Sequence, residues 1–152
     1  MPQLNTTTSI LKQARAYNLR LITQYLSIRY KIFVCELARS IIGEFNVADV
    51  TAKHYVFLIN KQQAGIARVI YKNHTAEIGR VAILAKYRNQ GYGVTLINQI
   101  IDKIKISRKE CLIKLFTESK NIEFYKKCGF IENGEMVFDN VLLIGMTVLV
   151  NR

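Results

Sequence analysis

A helical repeat held between two short apolar runs constrains this chain more than any other feature. Val94, Ile97, Ile100, Ile101 and Ile104 recur at the three-and-four spacing of an amphipathic helix, which predicts a helix over residues 91–107. Before it, Val81-Ala82-Ile83-Leu84 suits a short buried strand, and after it Leu112-Ile113-Lys114-Leu115-Phe116 suits another. Two strands joined through a helix imply a parallel crossover, because the helix carries the chain back to the end where the first strand began. The class is therefore α/β.

The rest of the chain adds strands of a different kind. Residues 7–14 read as a first strand, and Leu19, Ile22, Tyr25, Leu26, Arg29, Tyr30 and Phe33 line one face of a helix predicted over 18–38. Tyr30, Phe33 and Val34 are expected in the core, with Glu36 at the surface. Residues 39–52, of mixed polarity and including Gly43, read as a loop with room for a short helical turn. His54 opens the strand Tyr55–Ile59; Asn60–Gln63 is a polar turn; strands over 64–71 and 76–84 follow, joined at Lys72-Asn73-His74. A short helix over 120–128, stopped by Gly129, precedes a final hairpin of 130–137 and 141–150. The expected architecture is a mostly antiparallel mixed sheet with one parallel crossover and helices on both faces. Its 152 residues, half of them hydrophobic, make one domain spanning 1–152.

The segment that joins strand to helix, Arg88-Asn89-Gln90-Gly91-Tyr92-Gly93, carries the chemistry. The first N–H groups of a helix have no intrahelical partner and lie at the positive end of its dipole, so small residues there let an anion reach the main chain. Glycine serves equally where a strand packs tightly against the following helix, and both readings stand at this level. The nucleotide loop needs Gly-Lys-Ser/Thr and the dinucleotide fingerprint a third glycine; Tyr92-Gly93-Val94 and Leu96 occupy those places.

Charge bears on the partner without selecting it. The formal net charge is +11, and residues 86–127 hold ten Lys/Arg against four Asp/Glu, so the turn lies in a basic region. The lysines are dispersed, without a basic run interleaved with aromatics, which reads as a solvated face rather than a nucleic-acid groove. Cys35, Cys111 and Cys128 lack metal-ligand spacing and read as buried free thiols, and no metal is expected. With no membrane span and no basic-then-apolar leader, the expected location is cytoplasmic.

The segments Gly79–Ile83 and Tyr87–Gly93 resemble the Arg/Gln-x-x-Gly-x-Gly/Ala motif of the Gcn5-related N-acetyltransferases (GNAT). Asn121-Ile122-Glu123-Phe124-Tyr125-Lys126-Lys127-Cys128-Gly129-Phe130 is similar to that family's Asn-x-x-(Phe/Tyr)-Tyr-x-x-x-Gly-Phe signature, in the expected order. Arg29-Tyr30-Lys31-Ile32-Phe33-Val34-Cys35-Glu36 resembles a helix of the bacterial ElaA and YjcF-like subgroup. Two departures stand out: Phe116–Lys120 replaces the usual strand end before the asparagine, and Val141–Met146 replaces a Gly-Ile-Pro-His segment.

The resemblance implies an enzyme that moves the acetyl group of acetyl-CoA to a primary amine in a ternary complex, as monomer or homodimer. It places the pyrophosphate of coenzyme A on the backbone of Arg88, Asn89, Gln90, Gly91, Tyr92 and Gly93, with Arg88 adding charge. The pantetheine arm falls along Val81, Ala82 and Ile83, the Ile83 N–H polarises the carbonyl, and Asn121 stands on the cofactor side. Tyr125 matches the tyrosine that protonates the leaving thiolate. Helix 18–38 is implied to lie beside the acceptor pocket. Glu77 is the candidate base, because strict alternation puts residues 77, 79, 81 and 83 on one strand face; water relayed to Glu44 or His54 is the other route. The alternative function is a non-catalytic acyl-CoA sensor or basic adaptor on the same fold, contacting RNA or ribosomes.

Overall fold

The computed structural model describes residues 7–151. Part of the N-terminal stretch read for a leader lies outside them. Seven strands form one sheet in the order β1-β2-β3-β4-β5-β7-β6. They are β1 (Ser9–Ala14), β2 (Lys53–Ile59), β3 (Gln62–Lys72), β4 (Thr75–Ile83), β5 (Glu110–Thr117), β6 (Ile131–Phe138) and β7 (Val141–Asn151). Every neighbouring pair is antiparallel except β4 and β5. The predicted crossover is therefore present, and its helix is α4 (Tyr92–Ser107).

The two faces of the sheet are covered by different helices. Leu96, Ile97, Ile100, Ile101 and Ile104 of α4 pack with Phe57, Val69, Ile78, Ile113, Leu115 and Met146 in the larger core, which α5 (Ile122–Lys127) joins through Phe124 and Tyr125. On the opposite face α1 (Leu19–Arg29) sets Leu21, Tyr25 and Ile28 against Val56, Leu58, Ile66 and Ala82. The side-chain period of two along each strand separates the two cores.

The buried stripe of α1 differs from the expected one. Asn18 caps the helix by accepting from the Leu21 N–H, and Leu21, Tyr25, Ile28 and Ile32 then follow at helical spacing toward the sheet. Leu19, Leu26 and Tyr30 are turned outward, at 73%, 42% and 47% exposure, so Tyr30 is not a core residue. The chain continues from α1 through a π-helical stretch, Tyr30–Glu36, whose wider turns carry Cys35 to the surface while Phe33 stays buried. Residues 39–52, read as a loop, contain two single-turn helices, α2 (Ile41–Glu44) and α3 (Ala48–Thr51).

Candidate active site

The parallel ladder between β4 and β5 is short. Thr75, Ala76 and Glu77 pair with Leu112, Ile113 and Lys114, and pairing stops there, although β4 runs on to Ile83 and β5 to Thr117. Past that rung the two strands separate, and β4 presents an unpaired edge toward β5. The Leu84 N–H donates to the Ala64 carbonyl of the preceding strand pair. Successive residues direct their peptide groups to opposite sides, so Ile83 aims its N–H into the gap. Its carbonyl accepts from Arg88 Nε at 2.8 Å.

A bulge lies along this edge. Gly79 is opposite Arg68 and Ala82 opposite Ile66, so Arg80 and Val81 together face Ala67. Arg80 takes the left-handed backbone, φ 52°, to make the extra step. The bulge shifts the side-chain alternation by one residue, which overturns the strict alternation expected of residues 77 to 83. Val81 and Ile83 pack on the α4 core with Ile78. Glu77, one residue from Ile78, faces the α1 side, where its carboxylate is 3.8 Å from Lys114 Nζ at the last β4–β5 rung.

The turn after β4 ends in an open helix terminus. Gly91 adopts φ 81° and nothing stands within 4 Å of where a Cβ would be, so its need for glycine is conformational. No side chain caps α4, which leaves its first N–H groups facing outward. Gly93 has a packing reason: a Cβ there would meet the Phe124 ring at 3.0 Å. The glycines thus divide the two readings, the first opening the turn and the second seating α5 beside it. Asn89 is also left-handed, φ 59°. Gln90 Nε2 donates to the Lys86 carbonyl at 2.9 Å, and the Tyr92 ring packs edge-on near Tyr87 and tilted to Phe57, so Tyr92 offers only its backbone. Arg88 is engaged elsewhere than expected. Besides Ile83 it holds Glu36 at 2.7 Å, tying the π-helical stretch to the mouth of the gap.

On the far side of the gap, Asn121 does not cap α5. Its amide donates to Thr117 Oγ1 at 3.2 Å and so anchors the helix to the end of β5. Tyr125 packs against Phe124 and Phe130 and joins the same core as Val81 and Ile83. Burial, with the Cys128 thiol close by, pushes its phenol up to about 12. Burial likewise raises Cys128 to about 11, leaving that thiol protonated and unreactive at neutral pH.

The sequence reading missed a buried charge network on the α1 side. Arg29, 1% exposed, gives Nε to Glu44 at 2.8 Å, Nη1 to Asp49 at 2.8 Å and Nη2 to the Glu44 carbonyl. Arg68 reaches Asp49 at 2.8 Å, and Arg80 reaches Glu44 at 2.6 Å. The signal was present: Arg29 sits on the apolar side of a helix and Arg68 inside an apolar strand run. Glu44 is 1% exposed and clasped by two arginines, so it cannot serve a water relay. Burial holds His54 below its ordinary value; its Nε2 lies 2.9 Å from the Asp49 carbonyl and its ring against Tyr25, so it positions the loop instead.

Asp49 gives this network a pH signature. Burial alone would raise its pKa, but hydrogen bonds from Arg29, Arg68 and the Asn46 amide outweigh that and hold it well below the usual carboxylate range. A depressed folded pKa adds stability that is present above the unfolded value near 3.9 and lost as pH falls below it. Asp49→Asn should cost about 1.5–3 kcal/mol at pH 7 and flatten the loss of stability below about pH 4, both read by urea denaturation across pH. An unaltered acid limb would remove Asp49 as its source.

The model of the acetyltransferase (GNAT) domain family matches residues 29–132. YyaT of Bacillus subtilis strain 168 is 28% identical over 131 residues, covering 84% of this chain and 88% of that protein. An acyl-CoA N-acyltransferase from Pseudomonas aeruginosa superposes with a TM-score of 0.79 at 20% identity, over 93% of this chain and 99% of that one. Escherichia coli ElaA superposes with a TM-score of 0.75 at 19% identity, again over 93% and 99%. Among the described residues no helix is long and apolar enough to cross a membrane, and no cluster of three potential metal ligands occurs.

Proposed function

The chain belongs to the GNAT acetyltransferase family, and we propose that it transfers the acetyl group of acetyl-CoA to a primary amine by direct attack in a ternary complex. The observation that carries this reading is the β4–β5 ladder ending at Glu77 and Lys114 beside an uncapped helix terminus. A free strand edge suits an extended amide-bearing arm, and free N–H groups at a 16-residue helix suit a pyrophosphate. The donor set fits acetyl-CoA in both respects. When bound, acetyl-CoA supplies an activated acyl group on a thiol leaving group.

The residues then divide the work across the sheet. The backbone of residues 88–93 binds the pyrophosphate, while Val81 and Ile83 hold the arm through their peptides, Ala82 between them turns its peptide to β3, and the Ile83 N–H polarises the carbonyl. Arg88, drawn to Ile83 and Glu36, braces the mouth of the gap. Asn121 keeps α5 against β5, which sets Tyr125 on the α4 side to protonate the leaving sulfur. Glu77 lies on the other side, beside the surface that α1 covers, and because six residues of strand separate it from Ile83 it takes the proton of the incoming amine through a chain of water. Acid and base on opposite faces let the amine enter from one side and the thiol depart toward the other.

The decisive experiment is thiol release from acetyl-CoA across a panel of polyamines, peptide N-termini and lysine peptides. Turnover of at least one amine is expected; none, with acetyl-CoA bound, would leave a binding protein. Glu77→Gln should then lower the rate most below neutral pH and move the rising limb of the profile to higher pH, since the amine must shed its own proton. An unshifted profile would give the base role to water.

A further inference from the structure

The bulge that opens the strand edge is built on a residue ill suited to it. A left-handed backbone costs a residue with a Cβ about 1–2 kcal/mol, and glycine is the usual occupant. Here the residue is Arg80, and its side chain is held. Its guanidinium meets the Glu44 carboxylate at 2.6 Å, donates to the Glu44 carbonyl at 3.3 Å and lies 5.9 Å from the centre of the Phe33 ring. Glu44 is itself fixed by Arg29, which also holds Asp49, and Asp49 holds Arg68 on β3. Arg68 lies directly opposite Gly79, the residue before the bulge. The chain of contacts therefore closes on itself, from bulge to α2, to α1, to α3 and back through β3 to the start of the bulge.

Such a ring has one evident mechanical result. Arg80 cannot leave the left-handed region without withdrawing its guanidinium from a fully buried carboxylate, which would strand Glu44 Oε1 with Arg29 alone. Glu44 Oε2 and Arg80 Nε both lack a hydrogen-bond partner among the described residues, so charge alone joins Arg80 to the carboxylate and the pair has little tolerance for further loss. Removing the bulge would restore strict alternation and turn the peptide that follows Arg80. That peptide carries the Val81 N–H, at the edge facing β5.

We infer that Arg80 is a positioning residue, whose pairing with Glu44 locks the β4 bulge so that the Val81–Ile83 edge is aimed into the gap. The inference rests on the acetyl-CoA reading of that gap. It gives the α2–α3 segment a second duty: the loop on the acceptor side also sets the strand that seats the thioester. Strain held by surrounding contacts at a ligand-contacting strand is the expected form of pre-organisation.

The test separates the arm of the coenzyme from its pyrophosphate. Arg80→Ala deletes the lock while keeping the Cβ that disfavours the left-handed backbone, Arg80→Lys keeps the charge, and Glu44→Gln weakens the lock from its other end. Acetyl-CoA and ADP are titrated calorimetrically; ADP carries the pyrophosphate without the pantetheine arm. Arg80→Ala and Glu44→Gln should each weaken acetyl-CoA about tenfold, the loss of one or two aligned peptide hydrogen bonds, with ADP affinity unchanged within about twofold. Arg80→Lys should fall between Arg80→Ala and the parent. Equal losses for both ligands would mean a general disturbance and overturn the inference, as would an unchanged acetyl-CoA affinity in Arg80→Ala. If Arg80→Ala does not fold, Glu44→Gln decides by the same split. A parent protein that binds ADP but gains nothing from the arm would overturn the reading of the gap together with the lock, whereas a normal parent with an unsplit variant defeats the lock alone.

Discussion

Gly91→Glu is expected to reduce acetyl-CoA affinity by about a thousandfold, roughly 4 kcal/mol, in a protein that remains folded. The space around Gly91 is open to 4 Å, so a Cβ there meets no atom of the protein. It does bring a carboxylate to the mouth of the uncapped α4, where the peptide N–H groups would draw it in as an internal cap. The pyrophosphate then loses its donors and faces a like charge, and like charges set together at a binding surface cost several kcal/mol. The left-handed backbone adds its own penalty to stability, about 1–2 kcal/mol for any residue with a Cβ. Gly91→Ala isolates that penalty, and should lower the melting temperature by a few degrees while leaving affinity within about threefold. Calorimetry on both variants distinguishes the outcomes. Unchanged affinity in a folded Gly91→Glu would move the pyrophosphate away from this turn.

How much of this could be read from the sequence depends on the range of the forces involved. α4 and the strands on either side were legible because their signal is local: Ile97, Ile100, Ile101 and Ile104, at helical spacing, are buried in one core. Gly91 and Gly93 were legible as a pair but not in their separate duties, since the second depends on Phe124, thirty-one positions away in sequence. The face of α1 was legible only in part: Tyr25, Arg29 and Phe33 are buried as expected, but stripes through Leu19 and Leu26 or through Leu21 and Ile28 are almost equally apolar. Only the sheet decides between them. The bulge left no sequence mark at all, because the residue that carries it is arginine where glycine would have announced it. Its cause lies in an ion pair between Arg80 and Glu44, a contact made by tertiary packing over a separation of thirty-six residues. Arg88 shows the same limit. Its place in the motif suggested charge for a phosphate, and gave no sign of its contacts with Ile83 and Glu36.

Tyr125→Phe should lower turnover by about a hundredfold, toward the lower end of what general-acid catalysis contributes, because a coenzyme thiol is already a fair leaving group. The loss falls on the transition state alone. The ring keeps its contacts with Phe124 and Phe130, whose centroids lie 4.8 and 5.9 Å away, so the core that includes Val81 and Ile83 should survive the change. Acetyl-CoA should therefore bind as before, and the Michaelis constant should hold while the turnover number drops, the mark of an interaction made only as the thiolate forms. Burial also keeps the phenol in the protonated form that the assignment requires. Burial raises it to about 12, so the proton is in place throughout the neutral and mildly alkaline range, and no loss of rate from its ionisation should appear below about pH 10. Glu77→Gln acts on the opposite limb, shifting the rise of the profile, so the two variants change different parts of one curve if acid and base lie on opposite faces of the sheet. Pre-steady-state measurement of thiol release makes the comparison under conditions where chemistry limits the rate. Should Tyr125→Phe release thiol as fast as the parent there, water or a substrate group supplies the proton and Tyr125 only packs the core.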